Sequence, residues 1–382
     1  LSCGNFLPYP GLPVERLYGG EPVIAPTDHW WESGVTFNTA TVYLSRSAEH
    51  DPVIARLLGT DTLDNPLLRD GVVAMHYRAR PKDDPGYRWT RSFMGLAVFT
   101  PDTTHLLKRY EHPLVSPDTD PIGIDYLGVE DPRITRIGDT YYSVYCGVAD
   151  LHDRGRWRAS LCMAQSHDLL HWTKLGGVLG DINTCNNKDG VLFPEVIDGR
   201  YFFLHRPMDV CLNERTMNLA VSDSPTGEWK ECGAILGAAA HDHQRCRASW
   251  VGAGSVPIPL GDHRYLVIFH TGNRLNDGRL EYDLDAAIFN MNNFDPADPS
   301  TIVEARINRI MVPETDCEVN GPYPDSVANV LFTCGTYEYQ GYLYILYGGG
   351  DTFVMSARIE LQALLDALAT NRVETRELLS AV

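Results

Sequence analysis

The sequence predicts an all-β protein, a five-bladed β-propeller with a C-terminal helical appendage. Three observations lead to this fold class. The 382 residues include 33 glycines and 24 prolines, with turn dipeptides between short aromatic or β-branched runs, which favours strands over helices. One strand motif recurs five times along the chain. An apolar stripe at helical spacing occurs only near the end of the sequence.

The recurring motif is a turn followed by an aromatic or β-branched strand. Its copies read RDGVVAMHYRA, IGDTYYSVYCG, IDGRYFFLHRP, GDHRYLVIFHTG and YQGYLYILYGG. The residues that open these strands are Gly71, Gly138, Gly199, Asp262 and Gly341, at intervals of 67, 61, 63 and 79 residues. Each interval has room for a four-stranded sheet. Five similar sheets arranged radially make a propeller with few exposed strand edges, whereas a two-sheet sandwich would not account for five copies.

The last part of the chain, ARIELQALLDALATNRVETRELLSAV, is the predicted helix. Its apolar stripe consists of Ile359, Leu361, Leu364, Leu365 and Leu368. We interpret this helix as a packing element, with membrane binding the weaker alternative because acidic residues surround the stripe. The predicted division is therefore a propeller domain over residues 1–355, including the N-terminal lead segment, and a helical appendage over residues 356–382.

The net charge and the cysteines indicate which kinds of binding partner and which cellular compartment to expect for the protein. Lysine and arginine number 32 against 50 aspartates and glutamates, a formal net charge of −18 that argues against nucleic acids and anionic membranes. No apolar run approaches the roughly 18 residues of a membrane span, and the first residues, LSCGNFLPYP, lack the parts of a secretion signal. The nine cysteines show no CxxC spacing, which predicts reduced thiols, no zinc site and a cytoplasmic protein.

Charged and histidine side chains lie at the ends of nearly every repeated strand. In a propeller the equivalent ends of the inner strands converge on the central axis, so these side chains would share one funnel lined by aromatic residues. The set consists of Arg78, Arg80, Glu130, Asp131, Arg133, Lys188, Asp189, His205, Arg206, His270, Glu318 and Asp351. The sequence therefore predicts a binding or catalytic site at this end of the propeller.

Each of these features, taken alone, also has a structural interpretation. The run EDPR at residues 130–133 is more often a solvated turn with an internal ion pair, and Lys188 with Asp189 would usually be a surface pair of little energetic value. His205 and His270 lie in apolar strands, where hydrogen-bonded core histidines are as common as ligands. The recurrence favours a shared site, because a purely structural repeat would end its strands in glycine, asparagine or threonine.

Six fragments, in this order, resemble the successive signatures of glycoside hydrolase family 130: GVEDPRI, KDGVLFPEVIDGRYFFLHRP, WVGAGSVPI, VIFHTGN, NVLFTCGT and YGGGDT. The segment WWESGVTFNTATVYL resembles the family's opening blade, so the resemblance covers residues from roughly 20 to 355. It implies a five-bladed propeller. It also implies an inverting β-mannoside phosphorylase or, as in some members, a β-mannosidase.

The resemblance implies a role for each matching position. Asp131 matches the family's proton donor, proposed to act on the glycosidic oxygen through a sugar hydroxyl, and Lys188, Arg206 and His270 match the basic positions that hold phosphate. The substrate-binding candidates are Asn38, Arg78, Arg91, Asp189, Glu318 and Asp351, which match the pocket for the mannosyl unit, together with Glu130 and His205 from the strand ends. No metal and no organic cofactor are implied, and inorganic phosphate is a co-substrate.

The chemistry of these residue types agrees with phosphorolysis. Phosphate arrives as an anion, so the protein must supply cations, and a planar arginine with a point-charged lysine suits an oxyanion. A hydrolase would instead need a second carboxylate as a base, with space for water. Asp131 must be protonated when substrate binds, so we expect burial or the neighbouring Glu130 to raise its pKa.

The sequence therefore predicts an enzyme that cleaves a terminal β-mannoside with inversion, using phosphate to give α-mannose 1-phosphate reversibly. An inverting β-mannosidase acting on β-1,2- or β-1,4-linkages is the alternative, and a non-catalytic glycan-binding propeller is the third. An arabinanase-like or fructosidase-like enzyme would need three carboxylates in contexts that we do not find. A β-mannoside and phosphate are the predicted partners, and the C-terminal helix is compatible with a homo-oligomer as well as with internal packing.

Three positions depart from the family's pattern. Ser160 stands where relatives often have arginine, Trp250 stands where a basic residue is common, and Thr39 replaces a more usual proline. These positions concern the acceptor-side sugar and part of the phosphate contacts.

Overall fold

The computed structural model describes residues 6–87, 89–151, 156–323 and 326–373. Their strands form five sheets of four antiparallel strands each, and two of the sheets carry one further short strand. Each sheet contacts the next one around a closed ring. The predicted five-bladed propeller is confirmed.

We number the strands β1 to β22 in chain order and the sheets as blades one to five. Blade one comprises β2 (Val35–Leu44), β3 (Val72–Arg80), β4 (Phe93–Phe99) and β5 (Leu106–Arg109). Blade two comprises β6 (Gly128–Ile137), β7 (Thr140–Asp150), β8 (Trp157–Ser166) and β9 (Thr173–Gly177). Blade three comprises β11 (Asn187–Leu192), β12 (Tyr201–Pro207), β13 (Met217–Ser222) and β14 (Glu228–Leu236), with β10 (Leu179–Gly180) added in parallel to β14.

Blade four comprises β15 (Cys246–Ala253), β17 (Arg264–Leu275), β18 (Leu280–Asn290) and β19 (Val303–Met311), and β16 (Ile258–Gly261) pairs with β17. Blade five comprises β20 (Leu331–Tyr339), β21 (Tyr342–Gly349), β22 (Phe353–Glu360) and β1 (Val14–Arg16). The α-helices are α1 (Asp51–Leu58), α2 (Ala240–Arg245), α3 (Asp316–Val319) and α4 (Leu361–Ala369). Short 3-10 segments are Leu17–Gly20, Trp30–Glu32, Pro66–Leu68, Asp181–Asn183, Leu212–Glu214, Met291–Asn293 and Pro299–Ile302.

The N-terminal strand completes the last blade. β1 pairs antiparallel with β22, with Val14 opposite Ile359, so two distant parts of the chain close the ring. This pairing also corrects the predicted start of the helix at residue 356. Residues up to Glu360 belong to β22, because Ala357 and Ile359 alternate into the core, and α4 begins at Leu361.

The helix α4 packs onto its own chain. Leu364 and Leu368 are fully buried against the core shared by blades four and five. Residues 374–382 of the predicted appendage lie outside the described residues. Among the helices that the structure describes, none has the length and apolar character to cross a membrane.

The five predicted motif copies are the second strands of the blades, β3, β7, β12, β17 and β21, with the turns that precede them. Their turns use left-handed backbone conformations, with positive φ at Gly71, Gly138, Gly199, Asp262 and Gly341. Antiparallel pairing places these turns at one end of the propeller and the starts of the inner strands at the other. The loops between second and third strands lie at that second end, which we call the site end.

Candidate active site

Three polar residues of the inner strands have a left-handed backbone. Asn38 in β2, Asp131 in β6 and Asp189 in β11 have φ angles of 46°, 51° and 56°. Each lies where the register between the first and second strands of its blade shifts, the mark of a β-bulge. A bulge re-aims a side chain, and asparagine and aspartate tolerate this conformation better than most residues. Blades one, two and three therefore each present one polar side chain at the site end.

Two glycines leave the space that these side chains occupy. A Cβ at Gly348 in β21 would lie 2.1 Å from Asn38 Oδ1. A Cβ at Gly252 in β15 would lie 2.1 Å from Asp189 Oδ2 and 2.6 Å from His270 Nε2. All three separations are shorter than a van der Waals contact. Gly348 of YGGGDT and Gly252 of WVGAGSVPI are therefore explained by the packing of the site.

Gly348→Ala is expected to lower kcat/KM for the substrate by about 10²-fold, the effect of a displacement on the order of 1 Å in a catalytic site. The new methyl group would push Asn38 away from Asp131, to which Asn38 Nδ2 donates a hydrogen bond of 2.8 Å. Steady-state kinetics of the two single variants and of the double variant Asn38→Ala/Gly348→Ala measure this. If the clash with Asn38 is the cause of the loss, Gly348→Ala lowers kcat/KM little further in a protein that already carries Asn38→Ala. If the losses of the two single variants add fully in the double variant, the clash with Asn38 is not the cause.

A cavity of about 130 Å³ opens where these strands meet. Seven of the predicted site residues line it: Asn38, Arg78, Asp131, Lys188, Asp189, Arg206 and Asp351. Phe37, Tyr282 and Phe332 add an aromatic wall, and Val327 and Val330 complete it. Carboxylates, cations and apolar rings thus surround one compact space, the composition expected of a small polar ligand site.

The carboxylate of Asp131, in blade two, accepts two hydrogen bonds from side chains of blade one. Its Oδ1 accepts hydrogen bonds from Asn38 Nδ2 at 2.8 Å and from Arg78 Nη1 at 3.1 Å. Burial by itself would raise the pKa of Asp131, but the charges of Arg78, Lys188 and Arg133, with the hydrogen bond from Asn38, outweigh burial and lower it. The expected rise in the pKa of Asp131 is therefore wrong. Its cause is the approach of cations from other blades, which the sequence does not display.

Glu130 lies beside the cavity and binds two of its cations. Arg78 Nη2 donates to Glu130 Oε1 at 2.5 Å, and Lys188 Nζ donates to Oε2 at 3.2 Å. Burial acts to raise the pKa of Glu130, and these cations prevail and lower it. The ionised Glu130 fixes the positions of Arg78 and Lys188 and leaves their remaining N–H groups for a ligand.

Lys188 and Arg206 are opposed across β11 and β12. They are direct partners in the register of this antiparallel pair, so their side chains emerge on the same face of blade three. Both line the cavity. Arg206 Nε lies 3.0 Å from Asp189 Oδ2, while Arg206 Nη1 is buried without a hydrogen bond. This face of the cavity is therefore a cationic surface with unused donors.

Asp189 is a buried anion surrounded by positively charged and imidazole groups. Besides Arg206, Arg133 Nη2 lies 3.5 Å and His270 Nε2 lies 3.4 Å from its carboxylate. Burial opposes ionisation, and the charge of Arg206, followed by His270 and Arg133, overcomes burial and lowers the pKa of Asp189 strongly. Its carboxylate is engaged with the protein, which makes it a positioning group for Arg206.

His270 lies behind Asp189 and is not among the residues lining the cavity. The ring is fully buried, 4.4 Å from the Phe332 ring centroid. Burial, assisted by Arg206 and Arg133, lowers the pKa of His270 despite the attraction of Asp189. The neutral imidazole supports Asp189, so a direct phosphate contact through His270 stays a prediction.

Blade five contributes Asp351, from the turn between β21 and β22. It has a φ of 48° and lines the cavity. Burial, with the charge of Asp131, outweighs Arg78 and Lys188 and raises the pKa of Asp351 to about 6. The charge of the cavity therefore changes just below neutral pH.

Two predicted substrate contacts lie away from the cavity. Arg91 Nε lies 2.8 Å from Asp84 Oδ2, and its guanidinium stacks 3.5 Å from the Tyr87 ring centroid. His205 Nδ1 contacts the Asn187 amide at 2.9 Å, and its Nε2 lies 3.1 Å from the Glu231 carboxylate. Neither side chain lines the cavity, so a substrate contact through Arg91 or His205 stays a prediction.

Glu318 also has a structural role in place of the predicted substrate contact. With Thr315 it forms a capping box at the start of α3. Its carboxylate accepts from Arg16 Nε at 2.7 Å and from the Tyr347 hydroxyl at 2.6 Å. Because these partners use its oxygens and the residue is fully buried, Glu318 anchors the N-terminal segment to blade five.

Arg133 was predicted at a strand end without a role of its own, and the residues of the aromatic wall were not identified individually from the sequence. Arg133 is 2% exposed and donates to the carbonyls of Gly254, Ala253 and Asp131 at 2.9, 2.9 and 3.2 Å, so it joins blade two to blade four. Its place in the run EDPR was the available signal. Nothing in the neighbouring sequence distinguishes Phe37, Tyr282 and Phe332 from ordinary aromatic residues of a protein core.

The sequence profile of a family described as beta-1,4-mannooligosaccharide phosphorylase matches residues 90–370. A 1,2-beta-oligomannan phosphorylase of Thermoanaerobacter sp. (strain X514) is 30% identical over 355 residues, 92% of this chain and 98% of that protein. The likeness therefore extends over nearly the whole of both chains.

Two solved structures show the same fold. Beta-1,2-mannobiose phosphorylase from Listeria innocua, in complex with beta-1,2-mannobiose, has a TM-score of 0.68 and 21% identity over 94% of this chain and 100% of that chain. A structure from the GH130 family, described as mannoside phosphorylases that include glycoside hydrolases targeting beta-1,2 mannosidic linkages in Candida mannan, has a TM-score of 0.65 and 22% identity over 93% and 96% of the two chains. At this identity the two structures establish the fold alone.

Proposed function

Because the chain belongs to glycoside hydrolase family 130, we propose that it is a β-mannoside phosphorylase. It cleaves a terminal β-mannoside with inorganic phosphate and inversion at C1, and releases α-mannose 1-phosphate in a reversible reaction. The observation that carries this proposal is the cation pair Lys188 and Arg206, which shares one cavity with the acid Asp131. A cationic face beside an acid is what an anionic nucleophile requires.

In the proposed reaction an oxygen of phosphate forms a bond to C1 of the mannosyl unit while the bond from C1 to the leaving oxygen breaks. The leaving oxygen takes a proton that Asp131 supplies, directly or through a sugar hydroxyl. Lys188 and Arg206 hold the phosphate and balance its charge. Phosphate is itself the nucleophile, so no carboxylate base is needed.

The lowered pKa of Asp131 is compatible with its role as an acid. Cations lower that pKa, and bound phosphate would add negative charge beside two of them, Lys188 and Arg206. A negative charge near a carboxyl favours its protonated form. Phosphate binding therefore raises the pKa of Asp131 and brings a proton onto the acid before the glycosidic bond breaks.

The remaining cavity residues suit one terminal sugar unit. Asn38 and Asp351 offer hydrogen-bonding groups to hydroxyls, and the rings of Phe37 and Phe332 offer apolar contact to the sugar's carbon face. The small volume favours a single unit over a chain that passes through. We propose that the rest of the β-mannoside extends from the cavity toward solvent.

An inverting β-mannosidase is the second candidate, and Asp351 is the observation that favours it. Its carboxyl lines the same cavity as Asp131, and its pKa of about 6 is compatible with a base that activates water. Asp189 is less suited to that role, because three positively charged or imidazole groups already engage its carboxylate.

The experiment that tests the proposal is cleavage of β-1,2- and β-1,4-mannosides with and without inorganic phosphate, with mannose and mannose 1-phosphate assayed separately. We expect mannose 1-phosphate that depends on phosphate. Free mannose at any phosphate level would favour the β-mannosidase, and Asp351→Asn should then abolish its release. Binding without cleavage would indicate a glycan-binding propeller.

Other properties of the protein stay predictions. The eight cysteines among the described residues are free, in agreement with a cytoplasmic location. The burial of Leu364 and Leu368 supports an internal role for α4. Homo-oligomer formation and a reaction without a metal or organic cofactor are untested expectations.

A further inference from the structure

Arg215 is a half-buried cation without a partner among the residues that the structure describes. Its Nε is buried and makes no hydrogen bond. No described carboxylate forms an ion pair with its guanidinium. Charged donors that lose water without gaining an acceptor are unfavourable, so this arrangement requires an explanation.

The main chain fixes Arg215 at the site end. It follows the 3-10 segment Leu212–Glu214 in the loop from β12 to β13. The N–H of Val251 in β15 donates to the Arg215 carbonyl at 3.3 Å, and the N–H of Ser249 donates to the Asn213 side chain at 2.9 Å. The loop therefore bridges blades three and four beside the end of β12, where Arg206 lies.

Arg215 and Arg206 are like charges at the same end of blade three, Arg206 near the end of β12 and Arg215 within the loop that follows. After burial, the charge of Arg206 is the next cause that lowers the pKa of Arg215, with Tyr282 and Asp209 acting in the opposite direction. Arg206 and Tyr282 both line the cavity. Arg206 also keeps a buried Nη1 without a hydrogen bond. Two guanidinium groups that repel each other and both have unused N–H groups are stabilised by an anion bound between them.

We propose that Arg215 is a further phosphate-binding residue, which holds the phosphate together with Arg206 from the side of blade four. The inference rests on the proposed phosphorolysis. Lys188, opposite Arg206 in register, completes the contacts from the side of blade three. Guanidinium groups suit this task because their planar N–H forks match two oxygens of one phosphate.

The test is the variant Arg215→Gln, with Arg215→Lys as the conservative variant and Arg247→Gln as the matched control. Arg247 lies on β15 near the site end, is exposed, and loses the same charge on substitution. In phosphorolysis we expect the KM for phosphate to rise by about tenfold to a hundredfold in Arg215→Gln, as for a lost charged hydrogen bond. The KM for the mannoside should stay unchanged. The KM for phosphate of Arg215→Lys should lie between those of the wild type and Arg215→Gln. The KM for phosphate of Arg247→Gln should match that of the wild type.

Calorimetric titration with inorganic phosphate separates this inference from the proposed function. Equal phosphate affinity and equal KM for phosphate in wild type and Arg215→Gln would overturn the role of Arg215 and leave phosphorolysis in place. A rate of cleavage by the wild type that does not depend on phosphate would overturn phosphorolysis. In that case, weaker phosphate binding by Arg215→Gln would still support the site, and unchanged or absent binding would overturn it.

Discussion

Asp131→Asn is expected to lower kcat for mannoside phosphorolysis by about 10²- to 10⁴-fold, the range of a lost general acid. The amide has nearly the same shape, and its oxygen can still accept from Asn38 and Arg78, so the cavity should keep its form. It cannot donate the proton that the leaving oxygen needs. Because one negative charge is lost beside Arg78 and Lys188, the affinity for phosphate should not fall. Steady-state kinetics with both substrates measure the effect.

The leaving group provides a second readout of the same variant. An aryl β-mannoside releases a phenolate that needs little protonation, so its cleavage should be affected far less than that of a mannosyl disaccharide. Asp139→Asn is the matched control, since Asp139 is exposed in the hairpin of the same blade. Equal losses for both leaving groups would argue against an acid and for a role of Asp131 in binding alone.

The fold was predictable because its signals are local. Each of the five copies combines a turn with a strand, and the turn residues adopt the left-handed conformation that glycine and aspartate permit. The end of blade five was less predictable. Residues 356–360 carry apolar positions compatible with a helix, and their pairing with β1, which lies at the other end of the sequence, makes them a strand.

The positions of the candidate site residues were predictable where these residues belong to the inner strands. The prediction failed where a side chain has a different, local structural role. Asn38, Asp131 and Asp189 share the bulge position and meet at the cavity. Glu318 stands three residues after Thr315, the spacing of a capping box, which is a helix signal and not a sugar contact. That spacing is visible in the sequence.

The electrostatics of the site depend on three-dimensional approach and could not be predicted. Arg78, 53 residues before Asp131, bonds to its carboxylate and reverses the expected direction of its pKa. Trp250 departs from the family's pattern, yet nothing in the sequence points to a cation elsewhere that could take its place. In the structure the N–H of Val251, the residue directly after Trp250, donates to the carbonyl of Arg215.

Lys188→Met is expected to lower kcat/KM for phosphate by about 10²- to 10³-fold, the effect of removing one preorganised donor to an oxyanion. Lys188 lines the cavity opposite Arg206, and its ammonium group is fixed by Glu130 at 3.2 Å. Methionine keeps much of the apolar stem and loses the charge. The KM for the mannoside should change little. Initial rates at several phosphate concentrations measure the effect, with thermal unfolding to verify the fold.

The pH profile of the same variant tests whether Lys188 also acts on the acid. Burial raises the pKa of Asp131, whereas the charges of Arg78 and then Lys188 lower it, so removal of Lys188 should raise it. Cleavage needs the protonated carboxyl, and activity therefore falls as pH rises through this pKa. The fall should lie at higher pH in Lys188→Met than in the wild type. Lys230→Met, an exposed change on β14 of the same blade, should leave the profile in place.

These two readouts of Lys188→Met distinguish phosphorolysis from hydrolysis. If water were the nucleophile, loss of Lys188 would still shift the pH profile, because the effect on Asp131 does not involve phosphate. The dependence on phosphate concentration, by contrast, would be flat in both proteins. A shifted profile in the variant, together with a lowered kcat/KM for phosphate relative to the phosphate-dependent wild type, is therefore the result that assigns Lys188 both to the nucleophile and to the acid.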